Sequence, residues 1–173
     1  MPPFFVVLTT QKLTKNQGIM KKLLLLISVI FAISANAQNC SDLFISEYIE
    51  GPGNNNAIEI YNPTTASISL NAYTINRYRN GTNSGPEIWQ LSGSIASGEA
   101  IAIGNGQLDS IWTSTYWSLP VDPVFYNACD VHGSGLYPTP FYFNGDDAMI
   151  LEKNGNVIDI FGKVGEDPGE AWT

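Results

Sequence analysis

The chain has 173 residues, with 8 Lys and Arg against 16 Asp and Glu, for a formal net charge of −8. All the acids follow residue 37, so residues 38–173 set four cations (Arg77, Arg79, Lys153 and Lys163) against sixteen acids, a balance of −12. Such a surface repels phosphate backbones and offers no counterion release, which argues against nucleic acid as a partner and favours divalent cations or mere solubility.

Residues 1–37 carry Lys12, Lys15, Lys21 and Lys22 and no acid. Met20-Lys21-Lys22, the apolar run Leu23–Ile33 and Ala35-Asn36-Ala37 have the order of a secretory signal peptide, with cleavage expected before Gln38. Met20 is the expected initiator, which makes residues 1–19 an over-extended start. The apolar run falls short of the roughly 20 residues of a membrane span, so the mature form is expected to be secreted or at the cell surface, without a membrane span. Cys40 and Cys129 both lie in the exported part. An oxidising compartment permits a bond between them, worth about 4–5 kcal/mol for so long a loop if the geometry fits; two free buried thiols are the alternative.

After the signal, short β-rich runs alternate with Gly, Asn, Pro and Ser, the pattern of a sandwich or barrel. The predicted strands are Leu43–Glu50, Ala57–Tyr61, Ser67–Leu70, Tyr73–Tyr78, Ile88–Leu91, Ala100–Gly104, Ala148–Glu152 and Val157–Phe161. Glu47 and Glu59 sit inside strands, where they cap an edge, pair with Arg77 or Arg79, or face water; an ion pair of that kind is expected at the surface and is worth little. Asn154-Gly155 signals a type I′ hairpin turn. That turn puts Lys153 opposite Asn156, Leu151 opposite Ile158 and Met149 opposite Ile160, with Met149, Leu151, Ile158 and Ile160 facing the core. The opposite face, with Ala148 and Ile150 among charged residues, is expected to be partly covered.

The segment Asn105–Thr139 is long for a connection and rich in aromatics. A short helix is expected around Leu108–Tyr116. Its aromatics read either as a plug over one end of the sandwich, the favoured expectation, or as a binding surface built on Trp112, Tyr116, Trp117 and Tyr137. The chain stops at Ala171-Trp172-Thr173 without a capping or linker signal, which reads as a truncation.

Catalytic chemistry finds little support. His132 is the only histidine, and Ser134 beside it lies in His-Gly-Ser-Gly, without the G-x-S-x-G spacing. Zinc sites of the His/Cys kind need three or four ligands. The loops flanking the hairpin carry Asp146, Asp147, Glu166 and Asp167 and leave from one end of the sheet. Their oxygens suit Ca²⁺, although neither loop has the EF-hand spacing, and turn capping is the plainer role. Paired carboxylates could also serve a glycosidase, but no cleft is indicated.

Taken together, LFISEYIEGPGNNNAIEIYNPT, ISLNAYTINRYRNG, LSGSIASGEAIAIGN and FNGDDAMILEKNGNVIDIFGKVGEDPG resemble the lamin tail domain in its bacterial secreted form. Ile45-Ser46-Glu47 resembles the family's opening I-S-E, and Ala57–Pro63 its E-hydrophobic-Y-N-P strand and turn. Asn71 and Ala72 depart from its usual L-S-G-Y, and residues 106–140 match least. The resemblance implies an all-β, immunoglobulin-like β-sandwich with no catalysis of its own. It also implies a final strand beyond Thr173 and an accessory role in secreted proteins, often beside nucleases, phosphatases or a sorting signal. The function expected is a non-catalytic extracellular interaction or targeting module for a protein or glycan partner. The alternatives are the accessory domain of a truncated secreted enzyme and a calcium-dependent carbohydrate-binding module.

Overall fold

The computed structural model describes residues 41–172. The signal peptide, its cleavage point and Cys40 lie outside them. The architecture is all-β. Strands β1 (Phe44–Glu50), β2 (Asn56–Tyr61), β4 (Tyr73–Tyr78), β5 (Glu87–Gln90), β7 (Ala100–Gly104), β11 (Ala148–Lys153) and β12 (Asn156–Phe161) are the long ones. The short ones are β3 (Ile68–Ser69), β6 (Ser94–Ile95), β8 (Ile111–Trp112), β9 (Trp117–Ser118) and β10 (Val131–His132). They form two four-stranded sheets, β1-β2-β7-β10 and β12-β11-β4-β5, and two small ribbons, β3-β6 and β8-β9. Every long-strand pairing is antiparallel, whereas β10 joins β7 in parallel.

The core is the meeting of alternate residues from both sheets. Ile58, Ile60 and Ile103 come from one; Tyr73, Ile75, Met149 and Leu151 come from the other. Burial of each large side chain supplies roughly 1.5–3 kcal/mol, so this layer outweighs any surface pairing. Phe141 and Phe143 close one end, from and just after a 3-10 turn at Pro140–Tyr142, with Trp89 edge-on to Phe141 at 5.3 Å.

The sequence places most long strands within a residue of their ends. Four expectations are corrected. Ser67–Leu70 contributes only Ile68–Ser69 as strand, because Leu70–Ala72 tightens into a 3-10 turn that buries Leu70. Leu108–Tyr116 is no helix: its β-branched and aromatic residues form β8 and the turn after it, and the helix lies downstream as α1 (Pro123–Ala128). Asp122 caps that helix by accepting from Val124 N at 2.7 Å, with Pro123 in its first turn. The third is the hairpin register. Asn154 and Gly155 take the positive φ of a type I′ turn (51° and 76°), and Lys153 does face Asn156. A bulge then intervenes, so Leu151 faces Asp159, Met149 faces Phe161 and Ile150 faces Ile160. Ile158 and Phe161 pack against the core, while Ile160 is 43 % exposed. Ala148 and Ile150 on the other face are buried, more completely than the partial cover expected there.

One polar cluster fastens the start of the domain to the hairpin. Asp42 accepts from Tyr73 OH (2.6 Å), from its neighbour Leu43 N (2.9 Å) and from Lys153 Nζ (2.7 Å). Burial opposes ionisation of Asp42, but the bonds from Lys153, Tyr73 and Leu43 N outweigh it and hold the carboxyl below its ordinary value of 3.8. The Asp42 bond in turn raises Lys153 above its ordinary 10.5. A depressed acid stabilises the fold above its unfolded pKa and loses that stabilisation as pH falls through the folded value. A raised lysine stabilises below its unfolded pKa and loses that as pH climbs through the folded value. Asp42→Asn is therefore expected to lower the melting temperature near neutral pH and to match the parent at about pH 2. Thermal melts at both pH values check this; an equal gap at the two would show that charge is not the cause.

Candidate interaction surface

Between β7 and α1 the chain leaves the sandwich and returns, and a buried amide governs the excursion. Gln107 is 1 % exposed. Its Nε2 donates to Asp109 O and Ser118 O, both at 2.8 Å, and its Oε1 accepts from Ser118 Oγ (3.0 Å), Tyr142 OH (2.5 Å) and Asn54 Nδ2 (3.3 Å). Asn54 also donates to Ser118 Oγ (2.9 Å) and Leu119 O (2.5 Å), which ties the β1–β2 loop to the same hub. Behind it Asn105 Nδ2 donates to Phe141 O at 3.0 Å and its Oδ1 accepts from Gln107 N at 2.9 Å. A buried amide with its donors and acceptors met fixes one geometry, because each alternative would strand a polar group.

The ribbon β8-β9 stands on this hub. Ile111 pairs with Ser118 and Trp112 with Trp117, across a turn in which Thr113 N and Oγ1 both donate to Tyr116 O (3.0 and 2.9 Å). Ser114 takes φ = 82° there, a left-handed conformation that costs a non-glycine residue roughly 1–2 kcal/mol. Beyond the hub the side chains turn outward: Trp112 is 53 % exposed, and Tyr116 and Trp117 are each 61 % exposed. The indoles lie 5.5 Å apart, tilted by 56°. Leu108, Leu119 and Val124 add exposed apolar surface to the same stretch. Lys and Arg are absent from residues 80–152.

The plug expected of residues 105–139 is thus supplied mainly by Phe141 and Phe143, which follow that segment. Trp112, Tyr116 and Trp117 share one ribbon. Tyr137 is engaged elsewhere: its ring meets Tyr142 edge-on at 5.4 Å and its hydroxyl accepts from Arg79 Nη1 at 2.9 Å. Gln107 and Asn54 had no signal in the sequence, where each reads as a polar loop residue. The ribbon itself did have one, in Ile-Trp and Trp-Ser flanking a Thr-Ser-Thr-Tyr turn.

The residues weighed for chemistry have other occupations. His132 is half-buried on β10, stacked on Tyr126 at 3.6 Å, with Nε2 2.8 Å from Tyr126 O. Cys129 is in no disulfide among the described residues, and its Sγ packs against Gly104, where an added Cβ would collide with it; the bond expected with Cys40 lies outside those residues. Burial, and then Asp130, pushes that thiol's pKa up.

The loops flanking the hairpin do meet, as their common end of the sheet requires. Trp172 N donates to Gly145 O (3.1 Å), and Trp172 Nε1 to Asp147 O (3.0 Å). Their carboxylates do not converge. Asp147 accepts from Asn80 N and Asn144 N and faces Arg77 at 3.5 Å. Glu166 pairs with Lys163, and Asp167 accepts from Gly169 N at 2.7 Å. Asp146 is buried, and its Oδ1 has no partner. Among the described residues no three His, Cys, Asp or Glu side chains are grouped to hold a metal ion, and no helix is long and apolar enough to cross a membrane.

Comparison with curated proteins finds no match to the chain. The family model of the Lamin Tail Domain matches residues 36–165, and with that span and this two-sheet, immunoglobulin-like sandwich the chain belongs to the lamin tail domain family.

Proposed function

We propose that this lamin tail domain is a non-catalytic interaction module that acts outside the cell and holds its partner, a surface protein or glycan, through the β8-β9 ribbon. One observation carries the reading. Three large aromatic side chains, each more than half exposed, project from a ribbon whose base is locked by a buried amide hub. Exposed apolar groups gathered on a braced element are characteristic of recognition surfaces, and rigid aromatics bind with little entropy loss. The absence of Lys and Arg from residues 80–152 turns the ribbon away from anionic partners. The export signal read in residues 1–37 supports the compartment.

The test uses cells producing the full chain. The mature protein is expected in the surface fraction, with its N-terminus at Gln38. The double variant Trp112→Ala, Trp117→Ala should shift from the surface to the medium, with retention down at least about tenfold, since buried aromatic anchors are commonly worth 2 kcal/mol or more each. Its melting temperature should match the parent's, because neither indole belongs to the core. Equal retention of the two forms would overturn the assigned surface, and confinement to the cytosol would overturn the compartment.

A further inference from the structure

A second surface lies where the outer edges of the two sheets, β1 and β12, come together. Strand β1 pairs only with β2, and β12 only with β11, so each has one unpartnered edge among the described residues. The two edges flank a cleft of about 490 Å³ lined by Ile45, Glu47, Tyr48, Asp159, Ile160 and Phe161, together with Ser46. Its floor is aromatic, with Tyr48 stacked on Phe161 at 3.9 Å and backed by Phe143 at 4.6 Å. Its rim is acidic, formed by Glu47 and Asp159, and no Lys, Arg or His lines it.

Two details specify the occupant. First, Ile45 N–H points out of its sheet, toward β12, where Asp159 Oδ2 accepts from it at 2.7 Å. Asp159 thus fills, on the outer edge of β1, the acceptor place that a docking strand's carbonyl would take over. Second, Glu47 stands directly opposite Glu59 across β1 and β2. Like charges in that position repel, and neither carboxylate is in an ion pair among the described residues. A cationic side chain brought to Glu47 relieves the repulsion.

We propose that the β1/β12 cleft binds an extended, basic peptide strand, whose apolar side chains rest on Tyr48 and Phe161 while alternate Lys or Arg side chains meet Glu47 and Asp159. Strand addition draws affinity from backbone hydrogen bonds and specificity from alternate side chains, and both halves of that arrangement are present here. A second copy of this chain is a poor occupant, since pairing β1 with β1 brings further acids to an acidic rim. The cleft does not involve the ribbon, so it stands whether or not the ribbon is the surface proposed above.

The probe is a short blocked peptide alternating Lys and Val, titrated calorimetrically into the full chain at physiological salt. Two controls accompany it, one with Glu in place of Lys and one of the same composition with alternate D-residues, which cannot form a regular strand. The Lys-Val peptide should bind, both controls should not, and hydrogen exchange should slow in β1 and β12 and nowhere else. Glu47→Lys should weaken binding at least about tenfold without lowering the melting temperature, since Glu47 is exposed and a lysine opposite Glu59 removes a repulsion. Trp112→Ala should bind the peptide as the parent does. No binding, equal binding of the D-alternating control, or protection away from β1 and β12 would each overturn the proposal.

Discussion

Arg77→Ala is expected to destabilise the domain by about 3–5 kcal/mol, the cost of stranding buried charge rather than of losing a surface ion pair. Tyr73, Ile75 and Arg77 alternate onto one face of β4; the first two enter the core, and Arg77, 2 % exposed, continues that row to the end of the sheet. There its Nε donates to Glu87 Oε2 at 2.6 Å, its Nη2 meets the same oxygen, and its Nη1 lies 3.5 Å from Asp147 Oδ2. One guanidinium thus serves two carboxylates, both largely withdrawn from water. Arg77→Lys should recover only part of the loss, since a point charge cannot span both partners.

The pH dependence of that variant is informative. Burial raises Asp147 above its ordinary value; bonds from Asn80 N and Asn144 N and the charge of Arg77 pull the other way without prevailing. A carboxyl with a raised folded pKa favours the fold below its unfolded value of 3.8 and gives up that contribution as pH rises through the folded value. Deprived of Arg77, Asp147 should be raised further, so the penalty of Arg77→Ala should be largest near neutral pH and shrink on acidification. Urea denaturation of parent and variant at about pH 7 and about pH 4 measures both effects. A penalty under about 1 kcal/mol at neutral pH would place this cluster with ordinary surface pairs.

Asn62→Ala is expected to cost about 2–4 kcal/mol, because a single fully buried amide ties the β2–β3 connection to the end of β6 and the start of the β6–β7 connection. Its Nδ2 donates to Ala66 O (2.8 Å), Ile95 O (3.0 Å) and Ala96 O (3.1 Å). Its Oδ1 accepts from Thr64 N (3.0 Å) and Thr64 Oγ1 (2.7 Å), the Asx-turn that begins the Asn-Pro-Thr-Thr corner. Alanine would take Nδ2 away from three carbonyls at once, leaving each with a single weaker or longer contact: Thr64 Oγ1 at Ala66 O (3.0 Å), Ser67 Oγ at Ile95 O (3.2 Å) and Glu99 N at Ala96 O (3.2 Å). Asn62→Asp should be at least as damaging at neutral pH, since a carboxylate cannot donate and would face three carbonyl oxygens. It should recover partly in acid, when the protonated group regains one donor. Denaturant midpoints across pH test this, and a neutral-pH loss below about 0.5 kcal/mol for either variant would contradict it.

The long strands were legible because burial of one face writes its period into the sequence: Tyr73–Tyr78 and Ala100–Gly104 stand where alternation and turn residues put them. The bulge at Ile158 was not legible. It answers to contacts distant in the chain, letting Ile158 and Phe161 both reach the core while Asp159 turns to Ile45. Two-residue strands such as β6 and β10 carry too few positions to show a period. Helix α1 did leave a trace, Asp122-Pro123, that apolar periodicity overlooks in so short an element. Arg77 reads as a surface cation from composition alone, and only the convergence of β4, β5 and the Asp147 turn reveals its burial. In the candidate site, the aromatics were visible as a cluster; which way they faced depended on Gln107 and Asn54, whose roles exist only once the loops meet.

That amide junction has a mechanical consequence. A pull on Trp112 or Trp117 does not have to travel along the backbone of residues 119–147 to reach the sandwich. It passes from Ser118 and Leu119 through Gln107 and Asn54 into the corner between β1 and β2, and from Asp122 N to Asn55 Oδ1 at 2.8 Å beside it. The ribbon is thus a short lever clamped near its fulcrum, and a tug on it loads the sheet that holds β1.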